Sequence, residues 1–158
     1  MVKVNIEKQT LNIIGDIYKH VLKKSWQCMI PNCTECAINS HLLMRHGVLT
    51  NVVENNHLYE LRVHMPYAFK KGVFPAQFKR VGINDAISYP LFCNSHDTSV
   101  FFEIEHGEID YSKYRNLLLF SYRALCAEIR KKEIEVEKLT RIIASTTLAA
   151  TNGNQFSR

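Results

Sequence analysis

A chain of 158 residues is long enough to bury a core of its own as one domain. Its 46% hydrophobic and 22% charged residues exclude the disordered and fibrous classes, and no apolar run approaches the roughly 20 residues that span a bilayer. The net charge of +5 and pI of about 9.0 suit contact with a phosphate backbone, a weak signal that solvated surface lysines also produce.

The opening residues, "MVKVNIEKQT", lack the apolar centre of a signal peptide, so a cytoplasmic location is expected. Thiols stay reduced there, and clustered cysteines then favour metal binding or redox work over disulfides. Five cysteines is also an odd number, which a full set of disulfides would not leave.

In chain order, Leu11, Ile14, Ile17, Tyr18, Val21 and Leu22 recur at three and four, predicting an amphipathic helix over 7–24 that ends on Lys23 and Lys24. "CMIPNCTECAINSH" follows from Cys28 to His41, with Pro31-Asn32 as a tight turn. Ser40 is placed to cap a short helix over 42–53. "HLYELRVHM" alternates as a strand, and 66–90 reads as loop and a second strand. "FCNSHD" leads into one or two helical turns at "TSVFFEIEH". A long helix then opens at Asp110 or Ser112 and runs over 111–139. Its length suggests pairing with a second copy or a partner protein. The expected organisation is one zinc-binding domain over 1–140, then a helix end and flexible tail over 141–158, the whole a fragment of a longer chain or complete.

The cysteines carry the chemistry. Zinc takes four thiolate or imidazole ligands in a tetrahedron. Cys93 and His96 form a C-x2-H pair; the other pair is Cys28/Cys33, bent by Pro31, or Cys33/Cys36, with the commoner spacing. We take Cys28, Cys33, Cys93 and His96 as the set and leave Cys36 as the alternative to Cys28. Cys126 lies among apolar helix residues and reads as core. His46, His57, His64 and His106 show no ligand spacing. Trp26 and the aromatics between Phe69 and Phe78 read as packing before base stacking. A thiol redox role lacks its βαβ context.

A zinc knuckle, a strand hairpin and a second ligand pair at a helix start make the outline of a treble clef, in an α+β fold. With "C…C…SH" followed by strands and "FC-x2-HD", the chain resembles HNH-type nucleases that carry a structural zinc. It also resembles uncharacterised bacterial proteins with a "SH…GFCxxHD…F…IE" pattern. The matching residues are Cys28, Cys33, Ser40, His41, Gly82, Cys93, His96, Asp97, Phe101 and Glu105, about half the chain. The resemblance implies a nucleic-acid target, His41 as general base and Asp97 as ligand of a catalytic Mg2+ or Mn2+, in a phosphodiesterase of a bacterial defence-type system. Asn84 is a candidate to orient the base. The chain departs from the family in its C-x2-H second pair, its long span from His41 to Cys93 and its Ser40-His41 in place of a double histidine. His41 therefore has three readings: base, fourth zinc ligand, or core histidine bonded to Asp97. A non-catalytic zinc module that dimerises or binds a partner through the long helix is the competing function.

Overall fold

The computed structural model describes residues 2–43, 48–63 and 76–145. Its architecture is α+β. Among the described residues, four α-helices, α1 (Val2–Leu22), α2 (Asn94–Val100), α3 (Phe102–Glu105) and α4 (Tyr114–Ile143), surround strands β1 (Asn39–His41), β2 (His57–Val63), β3 (Ala76–Gly82) and β4 (Ser88–Pro90). Two antiparallel ribbons result: β1 with β4, and β2 with β3. His41 stands opposite Ser88, and Tyr59 opposite Arg80.

Several sequence expectations need correction. Helix α1 begins at Val2 and stops at Leu22. Ser40 does not cap a helix: it lies inside β1, and the described residues of the expected helix over 42–53 hold one 3-10 turn, at Leu49–Asn51. Pairing with Tyr89 holds Ser40 extended, so its side chain turns into the interior instead of back to its own backbone. The described part of the second-strand region, 76–90, holds two strands, β3 and β4. His46, His64 and residues 69–75 lie outside the described residues. Helix α4 opens at Tyr114, because the Asp110 carboxylate accepts from the Ser112 backbone and hydroxyl (3.0 and 2.6 Å) and closes a turn first.

The chain folds around Cys28, Leu91, Phe92, Cys93, Phe101, Ile104, Cys126 and Ala127. Phe92 and Phe101 pack at 4.9 Å between ring centroids, and Tyr122 flanks both. Burying each phenyl ring stabilises by about 2–3 kcal/mol. One face of α4, from Asn116 through Arg123, Cys126, Arg130 and Ile134 to Lys138, is buried. Its far half packs on α1, where Lys24 pairs with Glu137 at 3.0 Å and Lys138 lies over the Tyr18 ring. Trp26 is held between Lys24 and Arg130, and Arg130 donates to the Gln27 carbonyl at 2.6 Å. None of the described helices is long and apolar enough to cross a membrane.

Candidate metal centre

Residues 26–37 fold back on themselves. The Ala37 N–H donates to the Trp26 carbonyl at 2.7 Å and Cys28 N–H to Glu35 at 2.9 Å. At the tip, the Cys33 N–H reaches the Ile30 carbonyl at 3.1 Å. Pro31 and Asn32 occupy the central turn positions, Asn32 with φ 64°. That is the geometry of a type II turn, in which Asn is among the few residues to accept the left-handed position. The turn brings the Cys28 and Cys33 side chains together.

Two further backbone bonds dock this loop beside the second pair: Met29 N–H to Leu91 (2.9 Å) and Ile38 N–H to Phe92 (2.8 Å). Cys93 is then the N-cap residue of α2, and three residues on, the first helical turn returns His96 to the same side. Cys28 Sγ lies 3.5 Å and Cys93 Sγ 3.2 Å from His96 Nδ1, with Cys33 Sγ 4.0 Å from Cys93 Sγ. The four ligand atoms all fall within 4.8 Å of one another, a Cys3His group able to hold a metal ion. The Cys33 and Cys93 sulfurs are about twice a disulfide bond length apart, and all five cysteines are free.

The thiols differ in acidity. Burial opposes ionisation of Cys28, but backbone hydrogen bonds at Ile30 and Cys93, with the His96 and Cys33 side chains, outweigh it and bring the thiol down to about 7. At Cys93 the backbone at His96 favours the thiolate. Burial, the Glu35 carboxylate and the two other sulfurs oppose it and push this thiol up to about 11. One thiolate forms readily and the next resists, as in any cluster of anions without its cation.

Cys36 is exposed and outside the group. It bridges Gln27, so it faces the same way as Gln27 and opposite to Cys28. Cys126 is core, and burial raises its thiol.

His41 is not a fourth ligand. Its Nε2 lies 3.0 Å from the Ile83 carbonyl; a carbonyl only accepts, so Nε2–H is the donor in this bond. Asn84 is exposed in the turn after β3, so the backbone of its neighbour orients the ring. Next along that turn, Ile87 adopts φ 49°, rare for a β-branched residue. It is held there by its N–H to Glu60 (2.6 Å) and by the Leu42 N–H on its carbonyl (3.0 Å).

Asp97, adjacent to His96, faces a second cluster. Its Oδ1 lies 3.7 Å from Arg123 Nη2 and has no hydrogen-bond partner among the described residues. Arg123 is 1% exposed, is hydrogen-bonded to Glu105 and covers the Phe101 ring at 4.0 Å. Burial raises the Asp97 carboxyl, against the pull of Arg123 and a hydrogen bond from Ser40. Arg123 is the residue that spacing along the chain missed. Its one trace in the sequence is an arginine at the core register of α4, three residues before Cys126.

Comparisons with family models, curated proteins and solved structures return no match.

Proposed function

We propose that the chain is a zinc-stabilised, HNH-like module that acts on nucleic acid. The observation carrying this reading is the convergence of Cys28, Cys33, Cys93 and His96. A tetrahedral zinc has edges of about 3.8 Å between sulfurs and about 3.6 Å from sulfur to nitrogen, close to the separations of 4.0, 3.5 and 3.2 Å found here. Four protein ligands leave no open position, so the zinc is structural. A knuckle, a strand pair and a helix bearing the second ligand pair support the treble-clef reading.

Three features support nucleic acid as target. The β2–β3 ribbon exposes Tyr59 and Phe78 beside Arg80 on one face, with Arg62 and Lys79 on the other. Rings beside cations are what single strands stack on. A cleft of about 600 Å³, bordered by Lys24, Arg62, Lys131, Trp26 and Tyr89, is large enough for a nucleotide. Asn39 lines that cleft and lies two residues before His41, on the same face of β1. His41, with Nε2 fixed on Ile83, presents Nδ1 to take a proton from water as general base. A Mg2+ or Mn2+ at Asp97 would hold the scissile phosphate and neutralise its charge.

One observation favours the non-catalytic reading: Arg123 already supplies positive charge at Asp97. The test is incubation of zinc-loaded protein with supercoiled plasmid and with single-stranded RNA, in Mg2+ and in Mn2+, beside His41→Ala. Cleavage lost in His41→Ala supports the nuclease. Intact substrates with about one zinc per chain reject it in favour of a binding module.

A further inference from the structure

We propose that the outer face of α4 is the seam of a parallel two-stranded coiled coil with a second copy of this chain. The helix is 30 residues long, about 45 Å. Leu118, Leu125, Ile129, Val136, Leu139 and Ile143 are all 44–84% exposed on it. At 100° per residue they fall in one stripe, about half a turn round from the buried face of Asn116, Arg123, Arg130 and Lys138. That buried face rests on this chain's own core and α1, whereas the leucine-rich face is turned to solvent. The stripe amounts to roughly 600 Å² of apolar surface, as large as the largest patch a soluble monomer usually leaves open.

The spacing names the occupant. Ile129, Val136 and Ile143 recur every seven residues, and Leu118, Leu125 and Leu139 occupy the matching positions of a second seven-residue series. Set as a heptad, the first series is a and the second is d; the a layers of the seam begin at Ile129, because the preceding a position, Tyr122, packs on Phe92 and Phe101 within its own chain. β-Branched residues at a with leucine at d favour two parallel strands. The fourth d position is Lys132. In an in-register parallel pair a d side chain packs beside residue e of the other helix, so each Lys132 meets the second copy's Glu133, which also pairs with Arg130 of its own chain at 2.9 Å. A pairing shifted by one heptad places Lys132 beside Cys126 or Thr140 of the second copy, without a carboxylate, which is how one polar residue in a seam selects register. Burying the six side chains in both copies takes on the order of 1,200 Å² out of water, the lower end of the range for specific interfaces. The paired helices would carry two zinc centres at the same height on either side of one shaft.

Sedimentation velocity of the full zinc-loaded chain from about 1 to 100 µM tests this, with Val136→Glu as the interface variant. Val136 is 62% exposed, so the variant keeps its zinc and helix content. The expected result is a dimer whose dissociation constant rises at least ~100-fold in Val136→Glu, where two carboxylates enter the seam. Register is read by Leu139→Cys in a Cys36→Ser background, which should cross-link copy to copy under mild oxidant. A monomer at 100 µM overturns the proposal and leaves the face to a different protein. A dimer unaffected by Val136→Glu overturns it in favour of another surface, and a dimer that Leu139→Cys does not cross-link overturns the parallel register.

Discussion

Cys33 Sγ and Cys93 Sγ stand 4.0 Å apart across a sequence separation of 60 residues. Backbone bonds from Met29 to Leu91 and from Ile38 to Phe92 bring the two segments together, and a metal ion would tie the side chains themselves: Cys33 sits on a turn tip, and Cys93 is the N-cap residue of a helix of seven residues. Apparent zinc binding in small sites contributes about 10–16 kcal/mol, comparable with or above the ~5–15 kcal/mol net stability of a whole domain. Cys33→Ser or Cys93→Ser is therefore expected to yield unfolded or aggregated protein without zinc. A soluble Cys93→Ser protein that melts cooperatively, with no zinc by elemental mass spectrometry, would contradict a structural role.

Cys36→Ser and Cys126→Ala are expected to retain one zinc per chain, since Cys36 points to solvent and Cys126 into the core. The first should leave stability unchanged. The second removes one buried sulfur and should cost about 1 kcal/mol, read by denaturant unfolding. Loss of zinc in Cys36→Ser would exchange Cys36 for Cys28 in the site.

Zinc affinity should fall steeply with acid, because the metal binds thiolates and displaces their protons. Cys93, at about 11, gives up a proton on binding at any pH below that value; Cys28, at about 7, does so below neutrality. Each displaced proton weakens binding about tenfold per pH unit. These two thiols alone predict a tenfold loss from pH 9 to 8 and about a hundredfold loss from pH 6 to 5. Competition with a chromogenic chelator measures it, and an affinity flat from pH 8 to 5 would exclude thiolate ligation.

Arg123→Met is expected to destabilise by about 3 kcal/mol, since it leaves Asp97 and Glu105 without their buried cation. Both carboxylates keep some water, at 22% and 28% exposure, which places the cost at the low end of the range for broken buried pairs. The same variant separates the two functional readings. With the guanidinium gone, Mn2+ should bind at Asp97 more tightly by calorimetry if that carboxylate belongs to a cation site, and no more tightly if Arg123 is its permanent partner.

Local chemistry was enough to read much of this from the chain. Helices α1 and α4 announce themselves by apolar residues at three and four, and the turn at Pro31-Asn32 by residue types that accept its dihedral angles. Cysteine spacing narrowed the cluster to Cys28, Cys33, Cys93, His96 and one alternative, because the turn and the helix start that present these side chains are short-range structures. What the spacing left open was decided by contacts between distant segments. The bridge of Gln27 to Cys36 turns that cysteine outward. Pairing with β4 draws Ser40 into a strand where a cap was expected. The Ile83 carbonyl accepts a hydrogen bond from His41 Nε2 across 42 residues, and Arg123 reaches Asp97 from α4. Backbone pairing and buried ion pairs depend on which surfaces meet, and a run of residues carries that information only once the whole chain has closed.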